Sequence, residues 1–328
     1  MAELAIYHSL VEPMSLLAWL SEHYHLGTLH SCRLIRMGLN DTYEVQNERE
    51  KFIVRLYRAD WRSLSEVAAE LEVLTWLQAH HFPIAAPIAA VNGAYLNHLN
   101  APEGLRAMVV FAFIEGQALA LDGAQAFLYG QALAKLHTLT EPFQFSAQRF
   151  KLDEAHLMDE PLAHIQRAFA HHEVELARLT AAAEAARHVF RSLAKTNASY
   201  GFCHGDHFGN ILQTADQKLV FIDFDGCGMG FRLYDVVQFY WAIRLRIPAW
   251  ADTYLESNDR LWFHFLQGYE GLRPLSVTEY QALPALFVIR TIWGLGLQPQ
   301  NERHWGIEGM EAIWQQNIAL TLTPEPKV

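Results

Sequence analysis

The chain has 328 residues, 51% of them hydrophobic and 19% charged, with a formal net charge of −11. That balance belongs to a folded protein of one large domain or two moderate ones, and excludes a disordered or collagen-like chain. The acidic charge excludes a general nucleic-acid binder, which needs a basic face, and no apolar run approaches the roughly 18 residues that span a bilayer.

Acidity serves solubility, and it also favours a cationic small molecule. The opening MAELAIYHSLVEPMSLLAWL lacks a basic n-region and a small-residue cleavage site, so it reads as a helix and not as a signal peptide. Cys32, Cys203 and Cys227 form no closed set of bridges and have no metal-ligand spacing, which suits a reducing cytoplasm.

Leu10, Met14, Leu17 and Leu20 repeat at helical spacing and predict a helix over 5–24. LHSCRLIRMGLNDTYEVQNEREKFIVRLYRAD reads as three strands joined by turns, with NERE as the second turn. SLSEVAAELEVLTWLQAHH follows as a helix capped by Ser63 or Ser65, with Val67, Leu71, Leu74 and Leu77 on one face. The two prolines of FPIAAPI end it. AAVNGAYL suggests a hairpin, and RAMVVFAFIEG a buried strand ending at Gly116. A helix is predicted over 122–138, and a long Ala-rich helical stretch over 159–195. KLVFIDFDG is a strand with acids at its C-terminal end; beyond Asp235 the pattern is helical, and TPEPKV is a loose tail. The sum is an α+β protein in two lobes: an antiparallel β-sheet with a long helix over 1–114, and a mainly helical part over 115–328.

CHGDHFGNIL, residues 203–212, concentrates polar residues between glycines. Asp206 and Asn210 sit there, and Asp223 and Asp225 follow after the turn QTADQK. Two loops joined by a short hairpin lie side by side, which gathers carboxylates and an amide. Oxygen ligands of this kind suit Mg²⁺, which binds one or two carboxylates together with phosphate oxygens. Asn210 and Asp223 are the candidate ligands, and Asp225 either assists or braces the loop. A carboxylate free of metal, Asp206, can orient or deprotonate a hydroxyl. The reaction so equipped is phosphoryl transfer.

HGD…N followed by IDFD resembles the aminoglycoside phosphotransferase and protein-kinase-like superfamily, in the bacterial small-molecule branch that includes homoserine kinase, choline kinase and stress-response kinase relatives. GLNDTYEV, FIVRLYR, AAELEVLTWL, ALAKLH and RLYDVV are similar to further signatures of that superfamily in the same order. The resemblance implies a bilobal fold, ATP and Mg as cofactors, and a small-molecule hydroxyl acceptor. It implies that Asn40 lies in the nucleotide-loop hairpin. Arg55, where the family has Lys, would touch the α- and β-phosphates and pair with Glu70. Met108 to Ile114, with Phe111 and Phe113, would form the hinge that meets adenine. Asp206 would be the base, Asn210 and Asp223 the metal ligands, and Asp235 a brace for the catalytic loop. The loop departs from the family pattern: three residues separate Asp206 and Asn210 where four are usual.

Other readings stay open on the residues alone. Arg55 could be a surface charge. His204 is a scaffold residue, and His207 either meets substrate or fills the shortened loop. His80-His81 and His171-His172 are solvated and lack metal partners. Trp262, Trp293 and Trp305 are core or pocket wall. Asp252, Glu256, Asp259 and Glu270 could meet an amine on the acceptor. A protein Ser/Thr kinase of the stress-response type or a nucleotide-binding pseudokinase keeps the fold and changes the function. A binuclear metallohydrolase fits HGDH but leaves IDFD unexplained.

Overall fold

The computed structural model describes residues 4–120, 122–245 and 258–321. They divide into two compact units: residues 4–116, 145–149 and 214–221 form one, and the described residues of 117–144, 150–213 and 222–321 the other.

The first unit opens with helix α1 (Pro13–His23). Glu12 caps it, accepting from the Met14 and Ser15 amides, and Pro13 occupies its first turn. This start shortens the helix predicted over 5–24, because an N-cap residue is extended and proline lacks the N–H that a continuing helix would use. Strands β1 (Leu29–Arg36), β2 (Asn40–Asn47) and β3 (Lys51–Tyr57) form an antiparallel meander. Helix α2 (Leu64–Ala79) starts with a capping box between Ser63 and Glu66. Strands β4 (Pro87–Ile88), β5 (Asn97–Ala101) and β6 (Gly104–Ala112) complete the sheet in the order β1-β2-β3-β6-β4, with β5 also on β6. The AAVNGAYL segment is no hairpin of strands; its Ala90 amide donates to the Ala94 carbonyl in a tight turn. Strand β6 stops at Ala112, short of Gly116.

Side-chain alternation sorts the two faces of this sheet. Val54, Leu56, Met108 and Val110 share one core with Leu16 and Leu20 of α1. Arg55 points to the other face and reaches Glu70 of α2. A buried ion pair, Arg106 to Asp41 at 2.6 Å, ties β6 to β2. The same guanidinium donates to the Tyr57 and Ser9 carbonyls, so it also anchors the segment before α1.

The second unit contains β7 (Gln117–Ala118), α3 (Gly123–Leu139), β8 (Lys151–Leu152), a single π-helical turn at Ala155–Asp159, α4 (Glu160–Ala168) and α5 (Glu173–Ser192). The stretch predicted as helical over 159–195 is therefore broken at 169–172. Next come β9 (Tyr200–Cys203), β10 (Ile211–Gln213), β11 (Leu219–Phe221, grouped with the first unit) and β12 (Gly228–Phe231). Helices α6 (Leu233–Leu245), α7 (Asn258–Glu270), α8 (Val277–Gln300), α9 (Glu302–Trp305) and α10 (Met310–Thr321) follow. Trp262 is buried, whereas Trp305 is exposed and is not part of the core. Among the described residues no helix is long and apolar enough to cross a membrane.

Helices α3 and α7 cross with their backbones in contact. A Cβ on Gly130 would lie 2.0 Å from the Phe265 carbonyl oxygen, and one on Gly268 would lie 2.0 Å from the Phe127 carbonyl oxygen. Neither oxygen can rotate away, since both belong to helical backbone. Gly130→Ala is expected to destabilise the fold by about 3 kcal/mol or more, as overpacking against backbone does. Urea denaturation of the variant beside the natural protein measures it.

Candidate active site

Strand β9 pairs antiparallel with β12, and Cys203 faces Gly228. The C-terminal end of one strand is therefore beside the N-terminal end of the other. The loop after β9 carries Asp206 and Asn210, and the loop before β12 carries Asp223 and Asp225. The pairing brings the two loops together. Ile222 N–H donates to the Asn210 carbonyl and closes the join. Gly205 has φ +82°, and a Cβ there would lie 2.0 Å from the Gly226 carbonyl oxygen. Only glycine permits both the conformation and the approach.

Asp235, at the start of α6, holds the loop after β9. Its carboxylate accepts from the His204 amide at 2.7 Å, the Gly205 amide at 2.9 Å, His137 Nε2 at 3.0 Å and Gln238 Nε2 at 3.0 Å. These donors and the neighbouring imidazoles outweigh burial and keep the carboxyl near pKa 2. Gln238, one turn along α6, accepts from the His207 amide and donates to the Gly205 carbonyl.

His207 is buried and meets protein on both nitrogens. Nε2 donates to the Asp235 carbonyl at 2.7 Å, and Nδ1 accepts from the Tyr129 hydroxyl at 2.6 Å. Of its two sequence readings, this is the structural one. His204 donates from Nε2 to the Ile222 carbonyl and joins the two acidic loops. Burial lowers the pKa of His137 and of His207 to about 4.

Gly209 takes φ +85°, and the Asn210 Nδ2 donates to the Asp206 carbonyl at 2.7 Å. The shortened loop thus closes on itself and leaves the Asn210 Oδ1 as the acceptor end of that amide. Asp223 is in the left-handed region at φ +59°, unusual for a residue with a side chain. Asp225 is buried. Partial desolvation raises the Asp206 pKa, although its side chain keeps some access to solvent; Arg290 opposes this, and the Asp223, Asp225 and Asp235 charges add to it. Among the described residues the oxygens of Asp206, Asp223 and Asp225 do not converge as a three-acid cluster. An amide oxygen with one or two carboxylates is the donor set present, and it fits Mg²⁺ completed by phosphate oxygens.

In the first unit, Arg55 Nη1 donates to Glu70 Oε1 at 3.1 Å, and Glu70 also accepts from the Tyr57 hydroxyl at 2.8 Å. The Arg55 guanidinium also lies over the Phe111 ring. Asn40 opens β2 opposite Tyr57 of β3. Met108 and Phe111 lie inside β6, paired to β3 on one side and to β5 or β4 on the other. Their backbone groups are committed to the sheet; Phe113 lies past the strand, though its amide still donates to the Lys51 carbonyl of β3. Lys51 Nζ lies over its ring.

Some predicted roles fall elsewhere. His171 and His172 are not without partners: His172 Nε2 lies 2.6 Å and His171 Nε2 3.5 Å from the Glu311 carboxylate. Glu270 accepts from the Leu275 amide. Asp259 lies in the first turn of α7, and Asp252 and Glu256 are outside the described residues. Residue order gave no sign of Arg290, which contacts Asp206 from 84 positions away. Gln238 did carry a signal, since it sits one helical turn after Asp235.

The matching family model, described as "Phosphotransferase enzyme family", spans residues 31–275. The chain belongs to that family. It is similar to an uncharacterized protein of Deinococcus radiodurans, at 35% identity over 92% of this chain and 86% of that one. Among solved structures it resembles an amicoumacin kinase in complex with AMP-PNP, Ca²⁺ and Ami, with a TM-score of 0.75, 19% identity and coverage of 95% of both chains. It also resembles the microcompartment-associated aminopropanol kinase, with a TM-score of 0.74, 22% identity and coverage of 94% of this chain and 96% of that one. These likenesses show a protein-kinase-like fold, and the family makes the chain a phosphotransferase enzyme.

Neutral buried imidazoles make the stability of this phosphotransferase depend on pH. The pKa of about 4 for His137 and His207 lies below the unfolded value of 6.5. Between those values the unfolded chain binds protons that the folded chain refuses. The stabilisation is complete above about pH 6.5 and is lost as pH falls towards 4, by up to about 1.4 kcal/mol per pH unit for each imidazole. Urea unfolding at a series of pH values measures the slope, and His207→Gln should lower it by up to about 1.4 kcal/mol per pH unit.

Proposed function

We propose that this phosphotransferase moves the γ-phosphoryl group of ATP, with Mg²⁺, to the hydroxyl of a small molecule. The observation that carries the reading is the Asp206 loop, braced by Asp235 and abutting the loop of Asp223 and Asp225. Asp206 is the base. The acceptor oxygen forms its bond to the γ-phosphorus as the bond from that phosphorus to the β–γ bridging oxygen breaks. ADP leaves with the electron pair, and the hydroxyl proton passes to Asp206. The raised Asp206 pKa favours that uptake.

Asn210 and Asp223 are the metal ligands, and Asp225 supports them. Bound there, Mg²⁺ neutralises phosphate charge and aligns the chain for in-line transfer. Arg55, steadied by Glu70, contributes positive charge to the α- and β-phosphates in place of lysine. Arginine keeps the charge and adds a planar donor fork. Adenine meets backbone past β6, from Phe113 onward, and Asn40 belongs to the nucleotide-loop hairpin. The acceptor class is that of the relatives: hydroxyl compounds such as antibiotics, aminopropanol, choline or homoserine.

Mg²⁺-ATP at about 100 times its dissociation constant is expected to add roughly 2.7 kcal/mol to stability, seen as a rise of a few degrees in Tm. Asp223→Ala should lose the Mg²⁺-dependent part of that rise. Asp206→Asn should keep it and lower turnover about 10²- to 10⁴-fold. No rise with ATP or GTP in the natural protein would sink the reading. A rise without turnover of any acceptor would favour a nucleotide-binding pseudokinase instead.

A further inference from the structure

The base has a partner that phosphoryl transfer does not itself require. Arg290, on α8, donates from Nη2 to Asp206 Oδ1 at 2.8 Å. Its guanidinium lies over Trp241 of α6 at 4.2 Å and over Trp293 of α8 at 4.5 Å from the ring centroids. Among the described residues its Nε and Nη1 make no hydrogen bond, so Asp206 is its one hydrogen-bonded partner. Arg290 is only 3% exposed.

A buried guanidinium is costly unless its charge is met. Here one carboxylate and two indole faces meet it, and indole is the best of the aromatic faces for a cation. The two rings also fix its plane. A planar donor group fixed in this way dictates where the bonded oxygen sits. Asp206 is the freer partner, with 38% of its side chain accessible against 4% for Arg290. Its orientation therefore follows the arginine. Oδ1 is engaged, and Oδ2 is left for another group.

We propose that Arg290 is the positioning residue of Asp206, and that Trp241 and Trp293 hold Arg290 in place for that task. The inference rests on Asp206 being the base of the proposed reaction. Arg290 keeps Oδ1 occupied and presents Oδ2 to the acceptor hydroxyl.

The test follows ADP release from Mg²⁺-ATP with water, choline, homoserine, 1-amino-2-propanol and an aminoglycoside as acceptors. It compares the natural chain with Asp206→Asn, Arg290→Met, Arg290→Lys and Trp293→Phe. Arg290→Met should lower kcat about 100-fold with KM for ATP changed less than about twofold, the mark of an interaction that serves the transition state. Arg290→Lys should recover at least about tenfold of that loss, which restoring mere bulk would not do. The Mg²⁺-ATP rise in Tm should persist in both, showing an intact fold and nucleotide site. If Arg290→Met does not fold, Trp293→Phe carries the test, with kcat down about 3- to 10-fold and KM for ATP unchanged. Natural kcat in the foldable variant, no recovery with lysine, or a rise in KM that matches the loss in kcat would each overturn the positioning role. The two failures separate cleanly. An active chain silenced by Asp206→Asn but untouched at Arg290 loses only this inference. A natural chain with no turnover, or one indifferent to Asp206→Asn, loses the proposed function and this inference with it.

Discussion

The acidic half of this molecule depends on one buried carboxylate. Asp235 accepts two backbone amides of the catalytic loop, an imidazole N–H from α3 and an amide N–H from its own helix. An anion without such donors would be too costly to bury, and with them it becomes a fixed point. The loop is shaped around it. Gly205 turns where a side chain would strike Gly226, His204 reaches across to Ile222, and His207 bonds back to the Asp235 carbonyl. Removing any one donor would weaken the support of a buried charge that the other three still share.

The first unit solves a related problem with a sheet. Alternation along β3 sends Val54 and Leu56 into the core beneath α1 and turns Arg55 to the face where α2 brings Glu70. The Tyr57 hydroxyl shares Glu70, so the carboxylate is held by two side chains of β3. The Arg106–Asp41 pair does for β2, β6 and the N-terminal segment what Asp235 does for the loop. In both, a buried ion bonds backbone groups of separate segments.

Much of this was readable before any coordinates. The strands of the meander, the capped helix at Ser63 and the two acidic loops all arise from patterns within a few residues. The errors were also local in cause. A helix over 5–24 ignored Glu12 as a cap and Pro13 as a first turn. The hairpin at AAVNGAYL mistook a turn for two strands. Met108 and Phe111, two of the expected hinge residues, spend their backbone groups on pairing within β6. His171 and His172 looked partnerless because Glu311 is on a helix well over a hundred residues away.

Residue order alone carries the period-2 and 3.6 alternations, the caps, the glycines and the Asp206, Asn210, Asp223 and Asp225 spacing, since each reflects contacts between near neighbours along the chain. Packing decides the rest. That Arg290 would meet Asp206, that Trp241 and Trp293 would enclose it, and that Asp41 would find Arg106 depends on which helix faces and strand edges come together. A charge in the sequence is equally consistent with solvent or with a buried partner. Only the three-dimensional arrangement removes the water and supplies the opposite charge.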